Sequence, residues 1–227
     1  GFVSAFLQSA VVYSEMKKVI IVFLLSLACA ATALAAEDRS EPAHNDGEAL
    51  SRTNDALPAP IVTEKYEYYE VCGICEEELQ CDLRKKCIKW NDGRKYDSVT
   101  QWHVKWDYDR EQAPQACSAK AFRVTVDIEF RYPKWTPPDD ASRSLVRKWD
   151  AYMKNLVAHE TGHRDIAVEE AAELSRAVTE MPSFADCDEL DQNLQALSRD
   201  RMEKLNKAQK KYDEVTRHGA AQGAVFQ

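Results

Sequence analysis

Phe122-Arg123-Val124-Thr125-Val126-Asp127-Ile128-Glu129-Phe130-Arg131-Tyr132-Pro133 alternates apolar with polar residues until the proline. A period of two puts the apolar set on one face of a strand, and Pro133, which cannot donate to a ladder, ends it. Upstream, Trp102, Val104, Trp106 and Tyr108 alternate with Gln101, His103, Lys105 and Asp107, so a second strand precedes the first and His103 lies on its polar face. Tyr66, Tyr68 and Val71 mark a third strand that begins near Ile61. Downstream of Pro137-Pro138-Asp139-Asp140 the period becomes helical: Leu145, Trp149, Tyr152 and Leu156 recur at spacings of three and four, and the pattern runs to about Val178. Met181-Pro182-Ser183 interrupts it. Leu190, Leu194, Leu197, Met202, Leu205, Tyr212 and Val215 then mark a second helix that ends near Gly219. The pattern predicts an α+β fold, a small antiparallel sheet packed on a long C-terminal helical hairpin, with Trp102, Trp106 and Trp135 in its core.

A chain of 227 residues fits one domain with a sizeable core. Residues 1–35 read as upstream sequence and a signal peptide: Lys17 and Lys18, an apolar run from Val19 to Leu27, and the small-residue cleavage site Ala33-Leu34-Ala35. Residues 36–60 are polar and aperiodic, a flexible linker that includes His44, and residues 61–227 form the domain. The apolar run is too short for a span and is soon followed by Glu37, Asp38 and Arg39, so no stable membrane insertion is expected after cleavage. The expected location is outside the cytoplasm, periplasmic or secreted. A formal charge of −8 without a basic stripe argues against a nucleic-acid partner. Loss of Cys29 with the signal leaves Cys72, Cys75, Cys81, Cys87, Cys117 and Cys187, an even set in a compartment that permits disulfides, with fifteen connectivities open.

The chemistry lies in His159-Glu160-Thr161-Gly162-His163, inside the first predicted long helix. Two histidines four residues apart share a helix face, so both rings can reach one metal at roughly 2.0–2.1 Å. Glu160, beside the first histidine, is placed to take a proton from a zinc-bound water and pass it to a leaving amine. Such a pattern arises by chance in on the order of one chain in a hundred of this length. Here it uses two of only five histidines. The implied activity is zinc-dependent hydrolysis of a peptide or protein substrate. Asp165, Glu170, Glu203 and His218 compete for the third ligand: Asp165 points around the helix, Glu170 lies too far along it, and folding the hairpin about Ser183 brings Glu203 to Leu205 level with His163.

The stretch Trp149 to Ala167, the strand Thr100 to Tyr108, Tyr132-Pro133-Lys134-Trp135 and the ending Tyr212-Asp213-Glu214-Val215-Thr216-Arg217-His218-Gly219 resemble the bacterial domain of unknown function family 922, regarded as secreted zinc-dependent proteases. The resemblance covers roughly Ile61 to Phe226 and leaves the Cys72 to Cys87 cluster unmatched. It places a histidine at position 218 and so favours His218 as the third zinc ligand. It also supports a Cys117–Cys187 bridge, which would tie the sheet to the hairpin turn, with the other four cysteines paired among themselves.

Two other functional classes compete. Cys72-Gly73-Ile74-Cys75 between a strand and a helix has the form of a thiol-disulfide redox site, and the four clustered cysteines also have the count of a structural zinc site. A non-catalytic zinc-binding envelope protein would use the same histidines. Tyr212 reads as packing, Glu169 and Glu170 as a solvated face, and the strand Phe122 to Tyr132 as an edge on which an extended peptide could add.

Overall fold

The computed structural model describes residues 59–90 and 92–227, and the backbone of residues 4–8. The expected signal peptide and almost all of the expected linker lie outside the described residues. Three long strands make the sheet: β2 (Ile61–Val71), β5 (Ser98–Ala113) and β6 (Ala116–Trp135). The short strand β1 (Ser4–Gln8) lies on the outer side of β5, giving the order β1-β5-β6-β2. β5 and β6 are the two alternating stretches of the sequence, joined antiparallel through Pro114 and Gln115. Their ladder shifts register between Asp107 and Asp109, where Ala121 takes a left-handed backbone (φ 50°), a bulge that increases the twist.

The α+β class is as expected, but the sheet is mixed. β2 runs parallel to β6, with Ile61 opposite Thr125 and Val71 opposite Trp135. Helix α1 (Glu76–Lys86), the small pair β3 (Ile88–Lys89) and β4 (Lys95–Tyr96), and all of β5 intervene between β2 and β6. That connection is long enough to bring the chain back in the same direction. β6 is therefore paired on both sides from Thr125 to Arg131, and the free edge expected along Phe122 to Tyr132 is largely taken by β2.

Helices α2 (Arg143–Thr179) and α3 (Cys187–Thr216) form the hairpin. Ser142 and Asp186 start them, each accepting a backbone N–H three residues on. One face of the sheet, carrying Trp102, Val104, Trp106, Val126, Ile128 and Phe130, packs on Leu145, Trp149, Leu156 and Leu174 of α2 and on Leu190 and Leu205 of α3. Trp102, Trp106 and Trp135 are buried, as the alternation implies. Between the helices, Phe184 exchanges two backbone hydrogen bonds with Cys117 at 2.8 Å, and Cys117 is bonded to Cys187, so the start of α3 is fixed to the sheet. After α3 three consecutive left-handed residues, Arg217, His218 and Gly219, reverse the chain. The last residues return along α2, with Ala224 and Phe226 buried and the Phe226 ring against Trp149 and Tyr152. Among the described residues no helix is long and apolar enough to cross a membrane.

Candidate metal centre

His159 and His163 lie on the α2 face turned toward α3, both with no exposed surface, their rings 4.9 Å apart. Each ring is oriented through Nδ1. Gln222 Oε1 lies 2.9 Å from His159 Nδ1 and Gln209 Oε1 lies 2.6 Å from His163 Nδ1, while Gln209 Nε2 donates to the His163 carbonyl. An amide oxygen accepts only, so each Nδ1 donates to its glutamine and each Nε2 is the nitrogen left to face Asp213.

Both Nε2 atoms meet one carboxylate oxygen. Asp213 Oδ1 is 3.2 Å from His163 Nε2 and 3.4 Å from His159 Nε2. Donors bound tetrahedrally at 2.0–2.1 Å stand roughly 3.3–3.4 Å apart, so each nitrogen stands at ligand spacing from the carboxylate oxygen, and all three atoms lie within 4.8 Å of one another. His159 Nε2 is buried without a hydrogen bond, the kind of orphaned donor set a cation satisfies. Burial alone would raise the Asp213 carboxyl, yet His159, His163 and His218 hold it well below the usual carboxylate range. Burial likewise pushes His163 down, and Asp213, Glu160 and Gln209 together outweigh it, leaving the ring raised. The centre is thus built to hold positive charge. His159, His163 and Asp213 form the one group of three or more such donors among the described residues with ligating atoms within 4.8 Å of one another.

Tyr212 closes the site from α3. Its ring stacks on His159 at 5.1 Å, and its hydroxyl donates to the His159 carbonyl and accepts from Gln222 Nε2. This approach explains a glycine in mid-helix, because a Cβ at Gly162 would lie 2.1 Å from the Tyr212 hydroxyl. Tyr212 packs, as expected, but on the site itself. Glu160 faces the sheet. Ser98 Oγ and Thr100 Oγ1 of β5 donate to its two oxygens at 2.5 and 2.6 Å, and it has no exposed surface.

The family resemblance favours His218 as third ligand; in the structure the oxygen grouped with both Nε2 atoms belongs to Asp213, and His218 lies behind it. The His218 amide donates to the Asp213 carbonyl at 2.8 Å in the turn that ends α3, and its Nδ1 lies 3.3 Å from Asp213 Oδ2. The other candidates face elsewhere. Glu203 is solvated with Lys207, Asp165 with Arg164, and Glu170 sits beside Arg201. A symmetric hairpin fails because residues 180–186 detour to the sheet. His163 lies about 24 Å before the end of α2 but Gln209 about 33 Å after the start of α3, so α3 begins roughly 9 Å beyond α2. The signal that could have found Asp213 is polar: Gln209, Asp213 and Thr216 continue the buried stripe of Leu205, whereas Val215, read as apolar lining, is exposed.

Cys117 and Cys187 are joined as expected, but Cys72, Cys75, Cys81 and Cys87 are free thiols. Pairing these four among themselves would need one pair without Cys72. Cys75 caps the start of α1, Cys81 lies within it and Cys87 caps its end, so neighbours are six residues apart, about 9 Å along the axis. A disulfide needs roughly 4.4–6.8 Å between Cα atoms, so an intact α1 forbids the second bridge. Nor do these cysteines gather as metal ligands.

The chain belongs to the family described as Bacterial protein of unknown function (DUF922), whose model matches residues 66–219. No curated protein and no solved structure matches the chain.

Proposed function

We propose that this member of a family of unknown function is a zinc-dependent hydrolase of peptide bonds that works outside the cytoplasm. The observation that carries the reading is the convergence of His159 Nε2, His163 Nε2 and Asp213 Oδ1 within 4.8 Å of one another, with Glu160 in the same helical turn. Two neutral imidazoles and one carboxylate leave a bound divalent cation with a net positive charge, which suits polarising a carbonyl and acidifying a water. The chain supplies the proton path: Glu160 takes the proton of the attacking water as the new C–O bond forms, then gives it to the amide nitrogen as the C–N bond breaks. Ser98 and Thr100 hold that carboxylate in place. The Cys117–Cys187 bridge favours an oxidising compartment.

Metal analysis of the purified chain should find about one zinc. Glu160→Gln should keep the zinc and lose peptide hydrolysis by at least roughly 100-fold. Full turnover in that variant would refute the role of Glu160. A second reading, a metal held for stability alone, is favoured by the complete burial of Glu160 and the occupation of both its oxygens. It requires wild-type protein to hold zinc, lose stability on chelation and cleave no peptide in a library.

A further inference from the structure

β5 is paired with β6 on one side; on the other, Ser4–Gln8 runs parallel to it, from Ser4 opposite Ser98 to Gln8 opposite Trp102. This five-residue register is the part of β5 that faces the metal centre. It contains Ser98 and Thr100, whose hydroxyls hold Glu160. It begins two residues after Tyr96, whose ring lies 5.9 Å from the ring of His218, and His218 in turn touches Asp213. A backbone on this edge, about 5 Å from β5, runs along the wall that carries Glu160. The opposite outer strand, β2, is paired on one side only among the described residues, with Tyr66 and Tyr68 exposed. A peptide added there would lie three strand spacings from β5, roughly 14 Å, which is beyond reach of Glu160.

We infer that the Ser98–Trp102 edge of β5 is where an extended peptide binds by strand addition, and that Ser4–Gln8 occupies it as an internal competitor. This rests on the peptidase reading for its purpose, not for its geometry. Strand addition draws affinity from backbone N–H and C=O groups and asks little of side chains, so the substrate class is an unfolded, extended segment. Cleavage after Ala35, expected from the sequence, would detach the segment and open the edge, so the uncleaved chain is held back until it is processed.

The test uses the full chain and a variant with Ala5→Pro and Phe6→Pro, which removes an amide donor on either side of the segment, so that it cannot keep the added strand, and leaves residues 59–227 unchanged. Hydrogen exchange is read at residues 98–102. In the variant these amides should exchange at least tenfold faster. They should slow again with the synthetic peptide Ser-Ala-Phe-Leu-Gln but not with its backbone N-methylated form. Hydrolysis of a peptide library should rise in the variant. Exchange at 98–102 that neither the prolines nor the peptide changes overturns the inference, even if the protein is a peptidase. Exchange that behaves as expected in a protein that cleaves nothing keeps the binding edge and defeats the peptidase reading.

Discussion

Gly162→Ala sets two effects of opposite sign against each other at the metal centre. In an open helix the change is favourable by about 1 kcal/mol, because alanine has less backbone freedom to lose. Here the new methyl would stand 2.1 Å from the Tyr212 hydroxyl, 2.4 Å from Cζ and 2.9 Å from Cε1, so the ring must retreat by more than about 1 Å. Retreat costs roughly 1–3 kcal/mol for overpacking, and about 1 kcal/mol for each of the two hydrogen bonds the hydroxyl makes with the His159 carbonyl and Gln222. The crowding wins, and the variant should be less stable by roughly 2–4 kcal/mol. For a domain of this size that lowers the melting temperature by roughly 5–15 °C. Denaturant unfolding of Gly162→Ala, Tyr212→Ala and the double variant tests the cause. With the ring gone the alanine should be neutral or stabilising by up to about 1 kcal/mol, so the cycle shows strong coupling. A stabilising Gly162→Ala in the wild-type background would show that the contact is not what keeps glycine there.

Asp213→Asn keeps the shape of the third donor but removes its charge, and should weaken zinc binding at least tenfold in a competition assay, while Glu203→Ala leaves it unchanged; the reverse order would refute the donor set. Asp97 is buried with Tyr152 donating to it, and burial raises its carboxyl to about 6. Its contribution to stability is therefore full below about pH 4 and lost as pH rises through 6, a change of about 3 kcal/mol. Asp97→Asn should match wild type near pH 4 and exceed it near pH 7.5 in denaturant midpoint, and parallel pH profiles would contradict this. Replacing Cys117 and Cys187 by serine opens a link spanning 70 residues and should cost about 4 kcal/mol in unfolding experiments, with a loss below about 1 kcal/mol counting against the constraint.

Periodicity made the strands and helices legible because β5, β6 and α2 each bury one regular face. It carries nothing about pairing direction, since Tyr66 and Tyr68 would alternate alike in a parallel or an antiparallel neighbour, and so the parallel β2 was not legible. His159, Glu160 and His163 could be read because a short helical spacing is local. Asp213 could not be read in the same way, because its place depends on how far Phe184 draws the hairpin turn toward Cys117. The free thiols had a similar cause: a cysteine count says nothing of the helix that holds Cys75, Cys81 and Cys87 apart.

The centre gathers groups that are far apart along the chain: Ser98 meets Glu160 across 62 residues, His163 meets Asp213 across 50, and His159 meets Gln222 across 63. Closing loops of this length precedes any reward from the contacts they make, so no single helix or strand of the domain presents the full donor set. Affinity for an ion at this group would therefore report on how α2, α3 and the chain end pack together more than on the helix that carries the motif. A chelator should act on this protein as a mild denaturant, releasing first the turn at Arg217 to Gly219 that delivers the end of α3 to the site.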